Sequence, residues 1–244
     1  MIALLCALAA APPLVEVSLA PEVGWRRVSF RDRLTPSLAG YQSGALALLR
    51  LGLAVYPAGA SRLPLISDVS FYGSYARSLK SRTLTSDQAL ALDSQIIAWE
   101  AGARFRGMVG GDERYAISIG YGSLRNDFSG AQLPGVLLPA GTLQYWRPGA
   151  EVRFPFGAFA VALGAGYLAP ARQDAIGAAF PRASSGGVDG TLCASVALGA
   201  FQLALSGRYM RFFYSLHPMP FDPYVAGGAL DEVWAANLAF ALHL

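Results

Sequence analysis

The chain has 244 residues, of which 54% are hydrophobic and only 14% charged, and its net charge is +3. Soluble domains average about 25% charged residues, so an ordinary charged surface is excluded, and so small a net charge does not point to nucleic acid. Mean hydropathy is +0.38, yet beyond the first residues no charge-free apolar run of about 18 residues occurs, which excludes spanning helices.

Residues 1–13 read MIALLCALAAAPP, an apolar stretch followed by Ala-x-Ala cleavage options ending at Ala9 or Ala11. They are expected to be a secretory signal peptide, leaving one domain over 14–244. Cys6 falls in that leader and Cys193 is then alone, so no internal disulfide is expected. His217 and His243 have no Cys or His partners at metal-ligand spacing, and no cofactor is implied.

From there a period-two alternation of apolar and small or charged residues recurs between turn-rich stretches. The first strand falls within 14–30. In 43–56, Ala47, Leu49, Leu51, Leu53 and Val55 oppose Gly44, Arg50 and Gly52. A third strand lies near Asp68–Arg77. In the fourth, near Ser94–Val109, Ile97, Trp99, Ala101, Ala103 and Phe105 oppose Glu100, Gly102, Arg104 and Arg106. Successive side chains of a strand point to opposite faces, so each segment is apolar on one side and small or charged on the other.

The pattern continues in 114–124 (Ile117 and Ile119 against Ser118 and Gly120) and in 142–154 (Trp146, Val152 and Phe154 against Arg147, Glu151 and Arg153). It recurs in 158–168, 191–199 and 202–214, the last with Leu203, Leu205 and Tyr209 against Gln202, Ser206 and Arg208. It ends in a strand from Trp234 to Leu244.

Only helices and closed barrels satisfy every backbone polar group in lipid. The pattern therefore predicts an all-β, antiparallel, up-and-down transmembrane barrel of about ten strands, within a range of 8–12. Short connections at 57–64, Val109–Glu113, Pro155–Ala158 and Gly199–Phe201 alternate with longer ones at 31–41, 78–93, 127–141, 169–189 and 215–230. That rhythm of short periplasmic turns and long outer loops puts both termini in the periplasm. Trp25, Trp99, Trp146 and Trp234 then lie toward the outer ends of their strands. Phe105, Tyr115, Phe156 and Phe159 lie toward the periplasmic ends, as in two aromatic girdles. The competing fold is a soluble lipocalin-like barrel with the apolar face inward. Its surface would then be rich in Gly and Ala and nearly free of Lys and Glu, which is unusual.

Over Leu14–Leu244 the chain resembles the bacterial outer-membrane β-barrel proteins as a broad class. Its last strand, Leu238–Phe240–Leu242–Leu244, is similar to the C-terminal signal read by the barrel assembly machinery in that class, though it ends in Leu rather than an aromatic residue. The resemblance implies location in the bacterial outer membrane of a Gram-negative cell. It implies outer-membrane lipid and that machinery as partners, with envelope proteins as further partners through the loops.

The predicted lumen holds Arg50, Glu100, Arg104, Arg106, Arg147, Glu151, Arg153 and Arg208, six basic and two acidic residues. One reading is a narrow, porin-like, Arg-lined pore biased toward anions. The other is a closed structural or envelope component in which the charges pair, since a barrel of about eight strands is filled by side chains. An alternative is an outer-membrane barrel enzyme with a site near the mouth, where Ser215, His217 and Asp222 cluster. Omptin proteases and lipid A deacylases resemble this in placing catalytic residues there, but the Asp-x-His step of the omptins reads Ser215–Leu216–His217 here. A non-enzymatic barrel is the expectation.

Overall fold

In a computed structural model, residues 14–58, 66–85, 91–109, 112–129 and 140–244 are described. The expected signal peptide, the glycine pair Gly110–Gly111 and most of the 57–64 connection lie outside these residues. The elements are β1 (Val15–Arg31), β2 (Tyr41–Ser43), β3 (Leu46–Val55), β4 (Val69–Ser78), β5 (Ser81–Thr85), β6 (Ala91–Val109), β7 (Asp112–Ser129), β8 (Gly141–Phe156), β9 (Phe159–Gln173), α1 (Asp174–Ala179), β10 (Ser184–Leu198), β11 (Phe201–Ser215) and β12 (Gly228–His243). No described helix is long and apolar enough to cross a membrane.

Neighbours in the chain pair antiparallel, and β12 closes onto β1 over a long register from Glu16↔His243 to Arg31↔Gly228. β2 and β5 pair with each other in the register that β3 and β4 keep. They are thus the outer ends of those two strands, displaced by short irregularities. The closed ring therefore has ten strands. Closure leaves no free sheet edge among the described strands, so the ladders can satisfy the backbone within the wall, as lipid requires.

The ring is apolar outside. Leu51, Ile117, Leu163 and Leu205 are each more than half exposed, and Leu49, Leu53, Ile119, Leu192 and Phe240 face the same way. So wide an exposed apolar surface far exceeds the patches of a soluble monomer. With lipid as its solvent it costs nothing, and the protein is a transmembrane β-barrel of the outer-membrane type. Aromatic residues mark both rims. Tyr121 lies between Trp99 and Trp146, with ring centroids 5.9 and 4.9 Å away, and Tyr209 stacks on Trp234 at 5.5 Å. Tyr115, Phe156 and Phe159 are exposed at the other end.

Two connections are shorter than the sequence suggests. Much of 78–93 is strand: Ser81, Thr83 and Thr85 alternate in β5, but with hydroxyls rather than apolar groups, so the period is masked. In 169–189 the wall extends to Gln173 and resumes at Ser184, with α1 between. Gly186 and Gly187 are interior strand residues rather than a turn. A Cβ on Gly186 would collide with the rings of Tyr167 and Phe213, and one on Gly187 with Phe212 and Leu168.

The alternation assigns Leu51 to lipid at mid-strand. Leu51→Arg is expected to cost about 2–4 kcal/mol of folding into lipid vesicles, as a charge at the bilayer midplane does. Urea titration followed by a heat-modifiable gel shift measures it. A wild-type protein that folds and stays soluble without detergent or lipid would overturn the assignment.

Candidate functional site: the lumen

The inward face carries the residues left over once the apolar set is turned to lipid. Glycines line part of it and leave room for large side chains opposite. The ring of Tyr145 occupies the space above Gly122, and the Tyr72 hydroxyl lies over Gly102 and Gly120.

At mid-height four charges form a closed ring. Arg147 reaches Asp189 at 2.9 Å and Glu100 at 3.7 Å, and Arg208 reaches Glu100 at 3.1 Å and Asp189 at 3.4 Å. The Tyr72 hydroxyl donates to Glu100 at 3.1 Å. Glu100 is on β6, Arg147 on β8, Asp189 on β10 and Arg208 on β11. β6 and β11 are far apart in the wall, so these contacts cross the lumen. The Asp189 side chain is 0% exposed. Beside this ring, Arg50 donates to both oxygens of Glu22, at 2.7 and 3.0 Å.

Toward the outer end the interior becomes apolar. Leu46, Leu124, Leu143, Leu168, Met210 and Phe212 point inward from the wall. Ile176 and Phe180, in and just after α1, Leu38 from the β1–β2 loop and Leu216 from the β11–β12 loop close over them. A buried pair, Arg26 to Asp231 at 2.9 and 2.6 Å, sits in this half. Tyr41 lies beside it, accepting from Asn126 at 2.9 Å.

Toward the periplasm the lumen opens into a cup of about 270 Å³, lined by Glu16, Tyr56, Tyr72, Arg104, Glu151 and Thr191 among others. Here Arg104 donates to Glu113 at 2.5 Å and Glu151 at 3.0 Å, and Arg153 approaches Glu113 at 3.9 Å. Arg106 stacks on the Tyr56 ring at 4.0 Å. Cys193 faces the same space near Glu151 and Arg153.

All eight lumen residues read from the sequence lie on this inward face, and the structure brings Glu100, Arg147 and Arg208 into one network and Arg104 and Glu151 into another. The sequence reading missed the acids. Glu22, Glu113, Asp189 and Asp231 each hold an arginine, Asp231 holding Arg26, so much of the excess of arginine expected in the lumen is offset, while Arg106 rests on the Tyr56 ring with no ion pair among the described residues. Each escaped notice for a local reason. The β1 alternation is blurred by Pro21; the bulge at Gly107/Met108 shifts the phase before Glu113; Asp189 lies at the end of a stretch read as a loop, and Asp231 falls between the 215–230 loop and the strand read from Trp234.

At the mouth, Ser215, His217 and Asp222 are not assembled into a relay. The Asp222 carboxylate accepts from Arg182 and from the Met219 N–H at 2.7 Å, and Arg182 also donates to the His217 carbonyl. These bonds clasp the β11–β12 loop to the segment after α1. They draw the Asp222 pKa below the usual carboxylate range, the Met219 N–H first and Arg182 second.

The fold is similar to solved bacterial outer-membrane barrels. The outer membrane protease OmpT from Escherichia coli is 9% identical, with 94% of this chain and 96% of that one covered and a TM-score of 0.46. The β domain of the Bordetella autotransporter BrkA is 12% identical, with 94% and 100% covered and a TM-score of 0.47. The outer membrane protein OprG from Pseudomonas aeruginosa is 10% identical, with 96% and 98% covered and a TM-score of 0.40. No protein-family model and no curated protein matches the sequence.

Two outcomes follow from this geometry. Asp189→Asn removes one corner of the charge ring and leaves Arg147 and Arg208 undercompensated, with an expected loss of about 3–5 kcal/mol in urea unfolding. Adding Arg208→Met should recover part of it, and strict additivity would show that the two do not interact. The Asp222 clasp contributes order above the ordinary Asp pKa of about 3.9 and loses it as pH falls through the lowered folded value. Protease cutting of the 216–227 loop should therefore be unchanged from pH 8 to pH 5 and rise only in stronger acid. Asp222→Asn should show raised cutting at every pH.

Proposed function

We propose that the protein is an integral component of the bacterial outer membrane whose lumen is shut, with a polar cup open to the periplasm rather than a pore through the wall. The observation that carries this reading is the apolar packing of the outer half around Leu168, Phe212 and Phe180. Two described voids adjoining this half measure about 50 and 30 Å³, room for a few waters but not for a hydrated solute. The charge ring below supports it. Each arginine there is shared between two carboxylates, so none is left free to select an anion. Such a barrel serves the envelope as a fixed scaffold, with loops presented outside and short turns inside.

The test is conductance in a planar bilayer. The wild-type protein should insert silently, and thinning the outer packing with Phe212→Ala and Leu168→Ala together should raise brief openings. Steady, anion-favouring steps from the wild type would restore the pore. Cys193 gives a second reading. A membrane-impermeant maleimide added to intact cells should leave it unmodified, while the same reagent added after the outer membrane is permeabilised should label it from the cup. Labelling in intact cells would place an open path through the outer half.

A further inference from the structure

The wall outside β1, β12 and β11 departs from the rest of the lipid-facing surface. Three residues lie side by side in the register: Trp25 opposite Trp234, and Trp234 opposite Tyr209. Two residues toward the outer end, about 7 Å along the strands, the next row reads Arg27, Glu232, Arg211. Arg31 follows on β1. Arg27 and Arg31 are exposed, and Arg27 makes no ion pair or side-chain hydrogen bond among the described residues. Glu232 accepts from the Tyr209 hydroxyl at 2.7 Å, so three outward arginines face one carboxylate already engaged.

On the periplasmic side of the Trp row the surface is hollow. A shallow groove of about 500 Å³ runs over Gly190, Gly207 and Ala236, walled by Leu163, Leu192 and Trp234. The glycines inside the lumen are filled by neighbours, but these two are not. A Cβ on Gly207 or on Gly190 would meet nothing closer than a backbone oxygen, at 4.0 and 3.9 Å. The protein's own packing therefore does not require them, and the hollow is free for something else.

We propose that this face binds one phosphorylated glycolipid of the outer leaflet, its phosphate at Arg27, Arg31 and Arg211 and an acyl chain in the groove beneath Trp234. The strand ends here point outward, which puts the arginines at the headgroup level of that leaflet. A guanidinium is suited to phosphate by its planar fork of donors and by a charge that stays in place at every pH of interest. The groove lies deeper, at the level of the hydrocarbon, and its walls are apolar. Charge above and hollow below match the two halves of one amphiphile.

Native mass spectrometry of the full chain in mild detergent tests this. With phosphorylated glycolipid added, one tightly held adduct is expected, and Arg27→Ala with Arg211→Ala should weaken it about tenfold or more. Gly207→Leu, which fits the backbone without a clash, should also weaken it by occupying the groove. All three positions lie on the outward face, so a heat-modifiable gel shift should confirm that the variants fold. The dephosphorylated glycolipid should bind no better than the double arginine variant. Equal retention by wild type and variants, a preference for phosphatidylglycerol over the glycolipid, or a stable dimer through this face would each overturn the proposal.

Discussion

The structure is organised by one constraint: charges placed inside a lipid-bounded ring must find opposite charges across the lumen. Glu100, Arg147, Asp189 and Arg208 meet it as a cycle in which every member touches two of opposite sign. The four come from β6, from β8 and from the paired strands β10 and β11, so the cycle ties together three sectors of the wall that share no backbone ladder with one another. Desolvating any one of them alone costs several kcal/mol, and only the completed cycle offsets it. Assembly of the ring is therefore coupled to register. A one-residue slip of β10 would turn Asp189 to lipid and leave two arginines without it.

Around that cycle the two faces of each strand do opposite jobs with the same period. Outside, the bulky residues meet lipid. Inside, small residues leave room for a few large ones, and the places where glycine gives way to Tyr145 or Tyr72 show how the space is filled. The filling is graded along the axis. Apolar side chains and loop residues occupy the outer half, charges the middle, and an open polar cup the periplasmic half. An apolar lid on the outer side is compatible with charges below it only because those charges are already neutral in sum.

Most of this partition was legible in the sequence, because a period of two survives wherever one face is bulky and apolar. Leu49–Leu51–Leu53 or Ile117–Ile119 announce themselves, and all ten wall segments carried at least part of that signal. What the period could not show was pairing. Asp189 follows a glycine pair that reads as a turn, but the glycines are there to accommodate Phe212 and Phe213 from β11, a constraint set by a segment more than twenty residues away. Glu113 was hidden by a bulge that reverses the phase of its strand end. Asp231 and Glu22 sit beyond the stretches where large apolar residues mark the rhythm. Without these acids the lumen reads as strongly basic; with them it reads as largely paired, and of the two readings of the lumen this pairing supports the closed barrel proposed above over the selective pore.

The distribution of arginine follows the same logic on both faces. Lys80 is the only lysine in the chain, and the basic positions divide into two groups. Inside, Arg104, Arg147 and Arg208 are each shared between two carboxylates, a task that favours a planar group able to donate in two directions at once. Those outside gather at the outer strand ends, where Arg27, Arg31, Arg77 and Arg125 are exposed beside or above the Trp rows. A compact ammonium would serve the second group as a point charge, but it would serve the first poorly, since one lysine cannot bridge Glu100 and Asp189 as Arg208 does. The charge ring that spans the lumen thus depends on the guanidinium fork, and a lysine at 147 or 208 would preserve the charge while losing the bridge.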